Sequence, residues 1–575
     1  MNKALKIILI VVSMAFAFVG LLLALFWNQP RVAALRHGLF QEKKTPACPV
    51  VTPYFRPYHG KILAADSTVL AQDLDYYDLY IDCRPTDETG VLDKEMRSLA
   101  KKLAVLKPAH TAPEWWDIIQ SAMQSELYNT LIAKDFSLYE VESIADQDFW
   151  LDHYAAYRHN ISLKNRFDER CGYFRHKYAR EYPYGNLARR TIGYSTCYES
   201  PVRVGLDGKY DERFTYESDE EPKDMLTTLD MNIQAIADKA LRSQLDSAVK
   251  GACLVVMEVK TGAIRAMVNL HRNRIGILGE YYNYAIGWNY EPGYVASPMT
   301  LAAALQDSII NSLDDAVPTC SGSLEGMPVD AGIKEYERAT GKDEITVLEG
   351  FRRSSCYVMS YIGEKYKKHP EYYTGSLKDL CLSDNVDDFD IEGLRDVAFP
   401  RPDSQVWTEA TVPSMAFGCA WTVTPLHILS FYNTIANSGV KMMPYLIQGY
   451  PDSKYDGVIE HKPLNRVLRP EVAAALVQAM NGSETSSVFK GAKCKLAGKS
   501  GISRQVIEAS VRADDDPYTG KGESHEYAST FAGFFPAENP QYSVVCAVFT
   551  GMTSEVPQSM AAPEKAVREL VDAIN

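Results

Sequence analysis

Two pairs of apolar segments, far apart in the chain, restrict its fold more than any other feature. Ala252-Cys253-Leu254-Val255-Val256-Met257 meets Ala263-Ile264-Arg265-Ala266-Met267-Val268 across Lys260-Thr261-Gly262. Two such runs around a short glycine-containing loop read as a β-hairpin. Residues 529–536 and 542–549 repeat the pattern across Ala537-Glu538-Asn539-Pro540. A helix precedes the first pair: after Leu229 and Asp230, the residues Ile233, Ile236, Ala237, Ala240 and Leu241 keep helical spacing. Another follows the second pair from Pro563, with Val567, Leu570, Val571 and Ile574 on one face. Helix, sheet, a helical middle, more sheet and a closing helix predict an α/β unit, an α+β sandwich, that begins near Asp224.

The 575 residues leave room for a second folded unit before it. Residues 60–71 and 77–82 are two apolar runs around a turn, which predicts strands. Residues 92–159 read as helical. Thr111-Ala112-Pro113-Glu114 and Ser137-Leu138-Tyr139-Glu140 both fit a capping box, the first with proline in the opening turn. No internal repeat or low-complexity segment interrupts the chain.

At the N-terminus, residues 7–27 are apolar except for Ser13 and Gly20. As a helix this run spans roughly 30 Å of hydrocarbon. It is longer than a signal-peptide core of about 7–15 residues, and Leu25-Phe26-Trp27-Asn28 offers no small-x-small cleavage site. The expectation is an uncleaved anchor over residues 1–28 and a polar linker over 29–53. Lys3 and Lys6 favour an inside N-terminus, but Arg31 and Arg36 flank the other end, so charge does not decide orientation. A net charge of −14 with no basic block argues against a nucleic-acid partner. Eleven cysteines include no C-x-x-C pair, which argues against zinc and thioredoxin chemistry; Cys171 and Cys197 are one possible bridge in an oxidising compartment.

The segment Asn283-Tyr284-Ala285-Ile286-Gly287-Trp288-Asn289-Tyr290-Glu291-Pro292-Gly293-Tyr294-Val295-Ala296-Ser297-Pro298 resembles the approach to the nucleophile in class B penicillin-binding proteins, N-x-A-x-x-x-x-Y-E-P-G-S-x-x-K-P. Glu291-Pro292-Gly293 and Pro298 hold the register from both sides. Tyr294 then stands at the nucleophile position and Ser297 at the lysine position. Phe351-Arg352-Arg353-Ser354-Ser355-Cys356-Tyr357-Val358 resembles the S-x-N segment, with Ser354 kept and Cys356 in place of asparagine. Leu496-Ala497-Gly498-Lys499-Ser500-Gly501 resembles A-G-K-T-G, but Ile502 replaces the threonine that usually follows. Other S-x-x-K strings, at Ser98, Ser247 and Ser487, lack the Glu-Pro-Gly frame. The structural glycines and prolines are also kept in Ala416-Phe417-Gly418, Thr424-Pro425-Leu426, Ala436-Asn437-Ser438-Gly439 and Phe531-Ala532-Gly533-Phe534-Phe535-Pro536. Arg180-Glu181-Tyr182-Pro183 and Ile192-Gly193 resemble the family's junction between its two units.

Acyl transfer in this family needs an activated hydroxyl, a base, a proton shuttle and an oxyanion hole. A tyrosine hydroxyl ionises near pH 10, sits on a rigid ring, and here has no lysine three residues on. Neither Ser297 nor Cys356 reads as a substitute nucleophile. The resemblance therefore implies a transpeptidase-like domain over residues 224–575, a pedestal domain over 54–223, and degenerate chemistry. It implies no cofactor and no metal. It further implies a single-pass protein of the cytoplasmic membrane with its bulk outside, acting in cell-wall synthesis or cell division. Its partners would include a SEDS-family glycosyltransferase. The expected role is a non-catalytic scaffold or regulator. Two alternatives stay open: an active D,D-transpeptidase with a displaced nucleophile, and a module that senses muropeptides. Remnant substrate contacts would be Ser354, Cys356, Lys499, Ser500 and Gly501.

Overall fold

The computed structural model describes residues 59–81, 91–125, 130–145, 160–163, 172–195, 203–210, 224–451, 459–481, 487–505, 526–553 and 558–574. The predicted anchor and linker, and Cys171 and Cys197, lie outside them. Among the described residues no helix is long and apolar enough to cross a membrane.

The N-terminal half contains β1 (Ile62–Leu63), β2 (Val69–Ile81), α1 (Val91–Leu106), α2 (Ala112–Gln124), β3 (Thr130–Phe136), α3 (Leu138–Ala145), β4 (Asn160–Leu163) and β5 (Gly172–Glu181). Both capping boxes form. Thr111 N–H and Ser137 N–H donate to Glu114 and Glu140, each at 2.7 Å. Two expectations fail. β2 runs unbroken from Val69 to Ile81 because residues 72–81 pair continuously with β5, so the turn lies at residues 64–68, inside the first apolar run, and not between the two runs. The stretch read as continuous helix is broken by β3, which pairs antiparallel with β2. The reason is burial: Ile132, Ala133 and Phe136 pack against Leu99, Leu103 and Ile119 of α1 and α2. Extended backbone lets them do so while pairing their polar groups with β2.

The short helices α4 (Arg189–Ile192) and α5 (Gly205–Lys209) lead to β6 (Met225–Thr227). β6 runs parallel to β1 and antiparallel to β10 (Ile447–Gly449), a strand from deep in the C-terminal half. One seven-stranded sheet therefore carries strands from both sides of residue 224. A buried ionic knot fastens its root. Arg180 donates to Asp207 at 3.0 Å and to Asp73 at 3.4 Å, with all three side chains at most 5% exposed. Tyr182 hydroxyl also donates to Asp207, at 2.7 Å. Breaking such a knot by removing one member strands a charge in low dielectric, which costs about 3–5 kcal/mol.

The second sheet supports the candidate site. α6 (Met231–Arg242), capped by Asp230, precedes β7 (Val249–Glu258), β8 (Ile264–Arg272) and β9 (Leu278–Gly279). After a helical middle come β11 (Ala497–Arg504), β12 (Tyr527–Phe535), β13 (Tyr542–Thr550) and α13 (Ala562–Ile574). The six strands run in the order β9-β8-β7-β13-β12-β11, antiparallel throughout. β11 is thus an edge strand. The unbroken apolar runs have a simple cause, since both faces are covered. Leu254, Val256, Val544 and Cys546 face α6 and α13. Cys253, Val255, Met257, Val545 and Ala547 face the helical middle.

Glu280, 6% exposed, joins the halves by accepting from Arg190 N–H at 2.8 Å and Asn269 N–H at 3.3 Å. Burial pushes its carboxyl up to about 8. A raised carboxyl favours the folded state below its unfolded value and loses that contribution as pH rises through the folded one. Stability should therefore decline by on the order of 5 kcal/mol between about pH 4.5 and 8. Denaturant titrations across this range should show Glu280→Gln with a flatter profile. Equal slopes for variant and parent would exclude Glu280 as the source.

Candidate active site

The site forms where three backbone segments touch. Gly293, at φ +63°, begins a tight 3-10 turn over Gly293–Ala296, and Pro298 occupies the first turn of α7 (Ser297–Gln306). Gly293 N–H donates to Gly418 O at 2.8 Å, and Glu291 accepts from Ala420 N–H at 2.9 Å. The Glu-Pro-Gly frame is thereby bolted to residues 418–420. Gly501 of the edge strand lies against the same turn; a Cβ there would sit 2.8 Å from Tyr294 N and 2.5 Å from Val295 N. The glycines allow β11 and the start of α7 to close on one another.

Tyr294 is half-buried, its ring 5.9 Å from that of Phe417. Burial and then the neighbouring Cys356 thiol push its hydroxyl well above the usual phenol range. It is a poorer nucleophile here than in water. Ser297 is 1% exposed, and its Oγ donates to Tyr294 O at 2.7 Å. That hydroxyl is spent on its own helical turn.

The second segment lies between α9 (Val347–Arg352) and α10 (Cys356–Glu364), with α8 (Ala331–Thr340) beside it. Ser354 adopts φ +53°, uncommon for a residue with a Cβ. Its N–H donates to Phe351 O at 3.1 Å, closing the turn. Lys499 Nζ, 5% exposed overall, donates to Ser354 Oγ at 2.7 Å and to Phe351 O at 2.9 Å. Burial lowers the Lys499 ammonium to about 8 against a weaker opposing influence of Glu564.

Strand alternation separates Ser500 from this pair. Lys499 stands opposite Ala532, which faces the helical middle, and Ser500 stands opposite Phe531, which faces α13. Ser500 Oγ accordingly donates to Glu564 of α13. Ile502, on the Ser500 side of the strand, is 48% exposed.

Asp330 is the organiser that sequence reading missed. It caps α8 by accepting from Gly332 N–H at 2.9 Å and Ile333 N–H at 3.3 Å. Its other oxygen accepts from Ser355 Oγ at 2.7 Å, Tyr357 N–H at 3.3 Å and Cys356 Sγ at 3.6 Å. Burial opposes ionisation, but these donors hold the carboxyl below its usual range. The Cys356 thiol is pushed up by burial and by Asp330, and the nearby Cys419 thiol rises to about 12 by burial. Neither is a thiolate at neutral pH. The cap itself was legible, as an aspartate before Ala331-Gly332-Ile333; its grip on the Ser355–Tyr357 turn was not.

The sequence profile of the penicillin binding protein transpeptidase domain matches residues 252–571. The chain belongs to that family. The chain is 26% identical over 365 residues to penicillin-binding protein PbpB of Mycolicibacterium smegmatis, over 58% of this chain and 50% of that protein. It is 22% identical over 426 residues to a peptidoglycan D,D-transpeptidase FtsI homolog of Mesostigma viride, over 64% and 68% of the two chains. The chain spans about half the length of the first of these curated relatives. Among solved structures, penicillin binding protein 2X from Streptococcus thermophilus superposes with a TM-score of 0.67 at 16% identity, over 90% of this chain and 79% of that one. A peptidoglycan synthetase from Bifidobacterium adolescentis gives 0.61 at 16% identity, over 90% and 95%. In this transpeptidase-family fold, the Ser354–Lys499 pair and the Glu-Pro-Gly frame converge on a turn whose side chains are Tyr294 and Ser297.

Proposed function

We propose that the chain is a degenerate class B penicillin-binding protein, closest to the septal type, that serves peptidoglycan synthesis without forming an acyl-enzyme. The observation that carries this reading is the pairing of Tyr294 at the nucleophile position with a Ser297 hydroxyl held by Tyr294 O at 2.7 Å. Among the described residues, neither the Tyr294 nor the Ser297 hydroxyl is hydrogen-bonded to a basic side chain. The role would be to hold or regulate synthesis partners at the outer face of the cytoplasmic membrane. A SEDS-family glycosyltransferase is the partner that the family resemblance suggests, contacted through the anchor and the pedestal. Absence of covalent labelling by a penicillin tests the non-catalytic half of this proposal.

A second reading, a sensor of peptidoglycan stem peptides, is favoured by one observation. Lys499 stays beside Ser354 although burial holds its ammonium at about 8, well below the ordinary 10.5. For a lysine this sign is unfavourable. Below about pH 8 the folded state carries the full desolvation cost, and stability recovers as pH rises from 8 towards 10.5 because the unfolded chain binds more protons there. Lys499→Met should therefore raise stability at pH 7 by about 1–3 kcal/mol and remove the rise above pH 8. A residue that destabilises the fold and is still kept would have a ligand to hold. Titration with a D-Ala-D-Ala stem peptide completes the test: binding to the parent that Lys499→Met abolishes favours the sensor, and no binding favours the scaffold. If Lys499→Met instead loses stability, the lysine is a strut and the sensor reading falls.

A further inference from the structure

One wall of the cleft is fastened firmly at its root and loosely at its tip. Residues 322–330 leave Gly322 and return to it. Asp330 N–H donates to Gly322 O at 2.9 Å, and a Cβ on Gly322 would fall 2.4 Å from Asp330 O. A segment of this length with touching ends is an Ω-loop. The turn that enters it is strained, with Cys320 at φ +42°, Ser321 at φ +52° and Gly322 at φ +69°. Glu337 of α8 holds that turn. Its carboxylate accepts from Ser321 N–H at 2.8 Å, from Ser321 Oγ at 3.0 Å, and from Thr319 Oγ1. Asp330, at the other end of the root, is fixed by its cap on α8 and by Ser355.

The tip is held by much less. Ser414 Oγ donates to Met327 Sδ at 3.8 Å, and a thioether is a weak acceptor. Gly326 faces Ala410, with 3.8 Å between an added Cβ and Ala410 Cβ. Among the described residues, 323–329 make no other hydrogen bond beyond the loop and its root. Leu324 packs on the core, but Glu325, Gly326, Pro328 and Val329 are exposed. Few buried contacts and an exposed tip mark a segment that opens locally.

The place of the loop gives it a role. Its root ends at Asp330, whose carboxylate meets Cys356 Sγ at 3.6 Å. Its tip lands on Ser414, whose carbonyl accepts from Cys419 N–H at 3.1 Å. Phe417, within the same turn, lies 5.9 Å from the Tyr294 ring. The loop thus bridges the two sides between which Tyr294 sits, Cys356 on one and Phe417 to Cys419 on the other. We propose that residues 322–330 are a lid, hinged at the Gly322–Asp330 root, that opens and closes over the Tyr294–Cys356 pocket. A rigid root and a loosely held tip confine the motion to a swing of the tip. The lid controls access to the pocket whether the chain is a scaffold or a sensor, so it is independent of the function proposed above.

The full chain carries its own reporters of such motion. Cys356 and Cys419 are half-buried on the two sides that the loop bridges, Cys320 is exposed outside it, and Cys253 of β7 is 0% exposed. The 3.8 Å between an added Cβ at Gly326 and Ala410 Cβ matches the mean Cβ separation of a disulfide, about 3.8 Å. In the variant Gly326→Cys, Ala410→Cys, oxidation should therefore tie the lid shut. Modification by iodoacetamide, mapped by mass spectrometry, should then slow about tenfold at Cys356 and Cys419 relative to the same variant kept reduced, with Cys320 unchanged. Met327→Ala frees the tip and should speed Cys356 about threefold while Cys253 stays unmodified. Equal Cys356 rates in the tied and reduced forms overturn the proposal. So does a Met327→Ala chain in which Cys356 keeps its parent rate, or one in which Cys253 reacts along with it, since that opening is global. If the bond does not form, the Met327→Ala result decides alone.

Discussion

The purified chain incubated with a fluorescent penicillin should carry no label after denaturation. Removing the nucleophile of a serine acyl-transfer enzyme lowers turnover by on the order of 10⁶, and loss of the base adds little because the two act as a unit. Here both positions are changed; the Tyr294 hydroxyl is held well above the usual phenol range by burial, and Ser297 Oγ is 1% exposed and donates to Tyr294 O. The double variant Tyr294→Ser, Ser297→Lys should acquire weak labelling. The geometry explains why both changes are needed. Residues 294 and 297 are one helical turn apart and face the same side. A lysine at 297 alone meets the Tyr294 ring and its packing against Phe417, whereas removing the ring opens room for the lysine stem. A serine at 294 alone has no base. Neither single variant should label. The double variant keeps Ser354 and Lys499 at 2.7 Å but lacks the asparagine replaced by Cys356, so its rate should stay far below that of an intact family member. Robust labelling of the unmodified chain, mapped by mass spectrometry to any one serine, would falsify the non-catalytic reading and point to a displaced nucleophile.

Gly418→Ala should destabilise the chain by 4 kcal/mol or roughly more, or prevent folding. Gly418 has φ +86°, and a Cβ there would fall 2.0 Å from Gly293 O and 2.6 Å from Gly293 C. Both the backbone conformation and the contact oppose a side chain, and the obstacle is backbone rather than a movable side chain. Gly375→Ala is the matched control. It lies in the helix Pro370–Leu380, and an added Cβ meets nothing within 4 Å. There alanine should gain about 0.5–1 kcal/mol through helix propensity. Comparison of the two by chemical denaturation separates the special position from glycine replacement in general. A Gly418→Ala chain as stable as its parent would mean that the 293–418 contact does not hold the turn.

The glycine contacts explain a pattern in the sequence itself. Gly293, Gly418 and Gly501 sit where three backbones meet, so any side chain there disturbs the fold whether or not catalysis survives. Tyr294, Ser297 and Cys356 sit at the same meeting point but project side chains, and those can change while the backbones stay. Frame and catalytic side chains are therefore separable, and the chain keeps these glycines beside Tyr294, Ser297 and Cys356.

Local rules accounted for the elements whose causes are local. Both capping boxes, the Asp230 cap, the two hairpins and the closing helix follow from side chains within a few residues of the backbone they control. Register at the site was readable for the same reason, because Glu291-Pro292-Gly293 and Pro298 bracket a turn of fixed length. Tertiary structure decided the rest. β3 is a strand because Ile132, Ala133 and Phe136 found a helical layer to cover them and β2 to pair with, neither of which its own residues specify. β10 joins the N-terminal sheet through a partner more than two hundred residues away. Ser500 parts from Lys499 because sheet alternation sends neighbours to opposite faces, and only the packing of α13 shows which face holds the cleft. Asp330 grips the Ser355–Tyr357 turn across 25 residues of chain. Contacts between distant segments depend on which surfaces the whole chain buries together, and no window of sequence carries that choice.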